Sequence, residues 1–216
     1  MVVFAATTHA QSDVKRLIQA VKQTYLRVQD YTVDLTVTVD ITQLRIPEMK
    51  LRMYYKQPNN VHFEAERKNS FAMLPRQGLA FNPVELFNSA YDAVIQGQDT
   101  VGSVTCTKLV LLARSDTLRL QRLVLLVDPK LNVIRRMRMT PSQGKTAVVT
   151  FDYALVDKRY PLPSRAVFRF NAPRGRSESE HPGNRRFRLP TSGSVTIVYS
   201  KYRVNKGIPD SVFEKE

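Results

Sequence analysis

From Tyr31 to Ile41 the chain alternates almost without fault. Tyr31, Val33, Leu35, Val37, Val39 and Ile41 fall on one side, and Thr32, Asp34, Thr36, Thr38 and Asp40 on the other. Period two is the spacing of a half-buried β-strand. The pattern returns in "MKLRMYYKQPNNVHFEAE", Met49 to Glu66, where Met49, Leu51, Met53, Tyr55, Val61, Phe63 and Ala65 share one face across a turn at Gln57-Pro-Asn-Asn60. Further strands are predicted over residues 118–127, 132–139, 147–153, 165–170 and 195–199, and "SVTCTKLVLL" around Cys106 reads as another. Turn chemistry separates several of them, at Asp128-Pro-Lys-Leu-Asn132 and Pro141-Ser-Gln-Gly144. Ahead of the strands, Val14, Leu17, Ile18, Val21, Tyr25 and Val28 recur at helical spacing behind Ser12 or Asp13 as N-cap, predicting one amphipathic helix over 13–29. A short helix is predicted in "NPVELFNSAYDA", residues 82–93, with Asn82 as cap and Pro83 at its first position.

Consecutive strands joined by short turns make an antiparallel meander, not the alternating helix and strand of a nucleotide-binding fold. A long, twisted antiparallel sheet with so few helices curls upon itself. The expected class is therefore α+β: a half-open antiparallel β-barrel, with the N-terminal helix and short helices plugging its concave side. The polar stretch 172–190, "APRGRSESEHPGNRRFRLP", reads as a long loop between two strands. At 216 residues the chain suits one sizeable domain, and no repeat of fixed period divides it.

The first ten residues modify this picture. Val2 to Ala6 is a short apolar run, and Thr8-His9-Ala10 has the small-x-small pattern that signal peptidase accepts before Gln11. Residues 1–10 are expected to be a residual signal peptide and 11–216 a single exported domain, soluble in the periplasm. Gln11 is not a cysteine, so no lipid anchor is expected at that position. No apolar run approaches the roughly 20 residues that span a bilayer. Cys106, the single cysteine, has no partner for an internal disulfide.

Chemistry is sparse. His9, His62 and His181 are scattered, and no phosphate loop, nucleophile elbow or Cys-x-x-Cys pair occurs, so neither an enzyme nor a metal or other cofactor is expected. The carboxylates Asp34, Asp40, Glu64 and Glu66 follow from alternation as outward, solvated positions. Lys and Arg outnumber Asp and Glu by 33 to 19, giving a formal charge of +14. An anionic partner has to be considered. Arg174, Arg176, Arg185, Arg186 and Arg188, with Phe187 among them, form the densest basic stretch, but Glu178 and Glu180 interrupt it and no nucleic-acid-binding signature accompanies it. These arginines are expected to face anionic headgroups or an acidic partner, not nucleic acid.

Several strings, in their order, resemble the periplasmic outer-membrane lipoprotein-sorting carriers, the LolA/LolB-like family. They are the helix leading into "YTVDLTVTVD", the turn "YYKQPNNVHFE", "LVDPKLNVIRRMRM", "VVTFDYALVDKRYPLPSRAVF" and "SKYRVNKGIPDSVFEKE", the last looking most like Bacteroidetes-type homologues. The resemblance implies an open barrel around an apolar cavity for acyl chains of lipoproteins or lipids, with membrane-bound donor and acceptor proteins as partners and a monomer as the working unit. It also implies an alternative, an envelope lipid-sensing regulatory module acting through protein contact. In the proteobacterial carriers the turn reads Lys-Arg-Pro, and the arginine is implicated in holding the lid and handing over cargo. Here it reads Lys56-Gln57-Pro58, and Phe63 stands where the family often has a tryptophan. Glutamine offers no charged fork, which bears on lipoprotein transfer by that mechanism and not on lipid binding.

Four of the six methionines, Met49, Met53, Met137 and Met139, fall at alternate positions of two predicted strands. Thioethers are flexible and polarizable, and either follow an acyl chain or fill gaps beneath a helix. With the apolar strand face they give an expected cavity lining of Leu35, Val37, Met49, Leu51, Met53, Tyr55, Phe63, Met137, Met139 and Phe151.

Overall fold

The computed structural model describes residues 4–41, 44–65, 82–87, 90–142, 146–171 and 192–214. One helix, α1 (Phe4–Leu26), precedes eleven strands: β1 (Asp30–Ile41), β2 (Leu44–Arg45), β3 (Met49–Lys56), β4 (Asn60–Ala65), β5 (Tyr91–Val101), β6 (Val104–Ala113), β7 (Leu120–Asp128), β8 (Val133–Pro141), β9 (Ala147–Val156), β10 (Tyr160–Asn171) and β11 (Ser192–Val204). The sheet order is β4-β3-β1-β11-β10-β9-β8-β7-β6-β5, with β2 a short addition to β1. All neighbours are antiparallel. Among the described residues β4 and β5 do not pair, so the sheet stays open, in keeping with a barrel-like form.

Registration shows one continuous inner face. Val39, Val195, Phe168, Val149, Met137, Leu125, Leu109 and Ile95 lie side by side from β1 through β11 to β5. Two buried clusters divide this face. Over β6 to β8, Val14 and Val21 of α1 pack with Leu109, Leu111, Leu123, Leu125 and Ile134. Over β1, β3 and β9 to β11, Val33, Leu35, Val37, Leu51 and Met53 pack with Phe151, Ala166 and Ile197. Residues at 0–3% exposure on both halves mark a fully dehydrated interior. Each such side chain contributes about 1.5–3 kcal/mol relative to exposure.

The helix differs from the sequence expectation at both ends. It starts at Phe4 and runs unbroken past Ala10 and Gln11. It stops at Leu26, although Val28 continues the apolar stripe, because β1 begins at Asp30 and the connection is pinned there. The Asp30 carboxylate accepts the backbone N–H groups of Lys206 and Gly207, while Asn205 Oδ1 accepts from Gln29 N at 2.7 Å. Val28 then packs with Leu162 and Val204 in a small cluster of its own.

The segment 82–93 also differs. Asn82 caps Val84 N as expected, but the 3-10 turn covers only Pro83–Leu86, and Tyr91 to Ala93 open β5. That strand is absent from the sequence reading because its alternation fails at Gly97, whose φ of +76° accompanies a register shift between Ile95 and Gln98.

Candidate functional site

Where the end of α1 meets the turn after β3, the inner face opens into a pocket of about 100 Å³. Thr24, Tyr25, Leu26 and Val28 form one wall, and Tyr31, Tyr55, Tyr199 and Tyr202 supply aromatic surface from β1, β3 and β11. Pro161, Leu162 and Pro163 come from the start of β10, and Gln57, Pro58, Asn82 and Val84 from the rim. Alternation explains the aromatics: Tyr31 pairs with Tyr55 and Leu35 with Tyr199, so these rings point the same way as the buried leucines. Tyr31 stacks on Tyr55 at 5.0 Å, and Tyr202 meets Tyr31 edge-on at 5.6 Å. Such pairs add about 0.5–1.5 kcal/mol beyond burial and make a stiff wall.

The polar atoms of the wall are tied back. Tyr153 OH donates to Ile134 O at 2.9 Å, which leaves the Tyr25 hydroxyl as donor to Tyr153 across 2.9 Å. Tyr202 OH donates to Pro163 O at 2.8 Å. Burial pushes the Tyr25 phenol up to about 12, and it drives those of Tyr31, Tyr153, Tyr199 and Tyr202 well above the ordinary value. Tyr55 is raised by burial and then by the Glu85 carboxylate. The pocket therefore presents neutral hydroxyls set in apolar surface.

The rim is a hydrogen-bonded clasp. Gln57 Nε2 donates to Leu26 O at 3.2 Å and to Val28 O at 2.7 Å, meeting carbonyls that the end of a helix leaves unpaired. Gln57 N donates to Gln29 O at 2.8 Å. Asn82 Nδ2 donates to Pro58 O at 3.0 Å and to Asn59 Oδ1 at 2.9 Å, fastening the 3-10 turn to the same corner, where Asn59 also meets Glu85. Below them Lys56 Nζ reaches Asp210 Oδ1 at 2.6 Å and Ile208 O at 3.1 Å, strapping the C-terminal segment alongside.

Of the ten expected lining residues, Tyr55 borders this pocket. Leu35, Val37, Met49, Leu51, Met53 and Phe151 lie together in the cluster beneath β1 and β3, with Phe63 packed against them. Met137 is buried under α1 beside Met139, in the other cluster. The two methionine pairs thus occupy separate halves of one face. Arg174, Arg176, Arg185, Arg186 and Arg188 lie outside the described residues. The sequence reading missed Tyr25, Tyr31, Tyr199 and Tyr202; the signal available was tyrosine on the apolar stripe of the helix and at inward positions of β1 and β11. Gln57, which stands where the family's lid-holding arginine is expected, meets the carbonyls at the end of α1.

Among the described residues no three or more His, Cys, Asp or Glu side chains gather as a metal site, and no helix is long and apolar enough to cross a membrane. No protein-family model matches the chain, and no curated protein matches it. Solved structures do. A domain described as an outer membrane lipoprotein-sorting protein from Vibrio parahaemolyticus superposes with a TM-score of 0.62 at 10% identity, covering 93% of this chain and 97% of its own. A LolA superfamily protein from Nitrosomonas europaea gives 0.60 at 11% identity, with 94% and 97% covered. A DUF1329 family protein from Desulfovibrio piger gives 0.59 at 15% identity, with 93% and 96% covered. At such identities the likeness is one of fold, and the fold of this chain is LolA-like.

Proposed function

We propose that the protein is a carrier that takes acyl chains of lipoproteins or other lipids between the inner face of its sheet and α1, and shuttles them toward the outer membrane. The observation that carries this reading is the inner face itself: an unbroken apolar surface, half roofed by α1, that ends in a pocket walled by Tyr25, Tyr31, Tyr55, Tyr199 and Tyr202. A volume of about 100 Å³ is below the 300–1,000 Å³ of a filled ligand site. Loading therefore separates α1 from the sheet, and the Gln57 clasp is where separation begins. Leu35, Val37, Met49, Leu51, Met53, Tyr55, Phe63, Met137, Met139 and Phe151 then line the opened volume. The proposed setting is the periplasm, with residues 1–10 a residual signal peptide, 11–216 one domain, and the protein a Bacteroidetes-type homologue of the lipoprotein-sorting carriers. The arginines of 174–188 are proposed to meet headgroups or an acidic partner.

Lipid extraction of the purified protein, followed by mass spectrometry and by titration with a fluorescent fatty-acid analogue, tests the reading. A co-purifying lipid, or saturable probe binding displaced by phospholipid, is expected. A chain that carries no lipid and takes up no probe, while remaining folded, refutes it.

A further inference from the structure

The outward side of β6 to β10 forms a second surface. Register places its members. Arg169, Val148, Arg138, Val124 and Val110 stand in one cross-strand row, continued by Val94 of β5. A second row runs Val167, Thr150, Arg136, Leu126 and Lys108; Val167 and Leu126 are buried in it, as Val110 is in the first row, so the cations rise around a partly covered aliphatic floor. Arg122 adjoins Leu112, and Arg165 lies between Asp152 and Val198. Val94, Leu112 and Val198 are 41%, 44% and 43% exposed, so aliphatic surface lies open among the cations.

Lys108, Arg122, Arg136, Arg138, Arg165 and Arg169 make no ion pair among the described residues. Their direct cross-strand neighbours include one carboxylate, Asp152; the nearby Asp92 is engaged by Arg114 at 2.7 Å. Uncompensated cations held on a rigid sheet repel one another and favour an anionic layer opposite. Their cross-strand neighbours are mainly Val, Leu, Ser and Thr, without the aromatic anchors that centre protein–protein interfaces. Arginine forks suit phosphate oxygens, and their aliphatic stems lie along apolar surface while the heads reach outward.

We propose that this outward face of β6 to β10 docks on an anionic lipid bilayer, its guanidinium groups on headgroup phosphates and Val94 and Leu112 at the interface. The docking goes beyond the carrier reading and does not depend on what fills the pocket. The pocket opens on the inner side, so docking leaves its mouth free.

Partition of the full chain onto vesicles of phosphatidylglycerol mixed with phosphatidylcholine tests the face. Binding is expected at low salt, weakening as salt screens it, and absent from phosphatidylcholine alone. Arg138→Gln with Arg169→Gln is expected to weaken partition roughly thirtyfold, and the reversal Arg138→Glu with Arg169→Glu roughly a thousandfold. Lys15→Glu with Lys158→Glu removes the same net charge from α1 and the β9–β10 turn, and is expected to retain most binding. Thermal melting confirms that each variant is folded; if the glutamate pair does not fold, the glutamine pair decides. The proposal is overturned if the wild type ignores anionic vesicles at low salt, if the face variants bind as the wild type does, or if the control pair weakens binding as much as the face pair.

Discussion

Replacing Gln57 by alanine isolates the clasp, because the change removes a side-chain donor and no apolar packing of consequence. Two contacts vanish, to Leu26 O at 3.2 Å and Val28 O at 2.7 Å. They are not equal losses. Leu26 O keeps a second donor, Gln29 Nε2 at 2.8 Å, whereas no other described residue donates to Val28 O. The backbone bond from Gln57 N to Gln29 O persists, so the corner keeps its shape. One net hydrogen bond is worth about 1 kcal/mol. Gln57→Ala should lower unfolding stability by about that amount, or roughly 2–4 °C in Tm for a chain of this size. If opening of α1 limits loading, the same loss speeds probe association about fivefold, the factor that 1 kcal/mol represents. Gln57→Arg keeps donors at the corner and adds a cation at the negative end of α1, worth about 0.3–1 kcal/mol. Denaturant titration beside stopped-flow uptake of a fluorescent fatty acid reads both quantities. An alanine variant with wild-type stability and wild-type uptake would refute the clasp.

Met53 is 1% exposed, so Met53→Glu places a carboxylate in the cluster beneath β1 and β3, and an outright loss of several kcal/mol is expected by urea melt if that half stays packed. A near-normal melt with probe binding abolished would instead place Met53 in a volume that water enters. At acid pH, burial raises the Asp128 carboxyl, but the Arg135 hydrogen bond and the N–H groups of Lys130 and Leu131 outweigh it and hold the value below 3.8. Its contribution is therefore full above pH about 4 and is lost as pH falls further; Asp128→Asn should flatten the acid limb of a stability–pH curve. At the alkaline end the buried tyrosines reverse the sign, since their folded values lie above the ordinary 10. Stability should be full below pH 10 and decline above it, and absorbance titration should find Tyr25, Tyr31, Tyr153, Tyr199 and Tyr202 un-ionised until the chain opens.

Much of this architecture was legible where the governing interaction is local. Alternation in Tyr31 to Ile41 marked both the strand and its buried side, and the Gln57 to Asn60 turn located the hairpin whose partners are Met53 with Phe63 and Tyr55 with Val61. Asp128 announced its turn because its own carboxylate accepts the next N–H groups at 2.8 and 3.2 Å. What stayed hidden depends on distant parts of the chain. The end of α1 is set by Asn205 and Gly207, and the tyrosine wall exists because β11 lies against β1. Periodicity could tell that Met53 and Met137 both face inward, but not that α1 covers Met137 and its cluster while Met53 belongs to the other half. Edge strand β5 escaped because a bulge at Gly97 and the polar run Gln96 to Thr100 erase the alternation there.

The pairing of β1 with β11 also dictates an order of assembly. Strands β5 to β10 are each hydrogen-bonded to their sequence neighbours, so that meander forms by successive hairpins as soon as its residues are available. The β1–β3–β4 unit can do the same on its own. Among the described residues these two halves are joined across the sheet only by β11, which lies between β1 and β10. Until Ser192 to Val204 is in place, β1 and β10 both present bare edges, the exposure that invites pairing with other chains. A nascent chain thus carries two half-sheets that cannot be sealed until β11 has emerged, and the slowest step is that long-range closure. Holding factors that bind extended strands would act in that interval, and a substitution in β11 would be felt as lost yield before it was felt as lost stability.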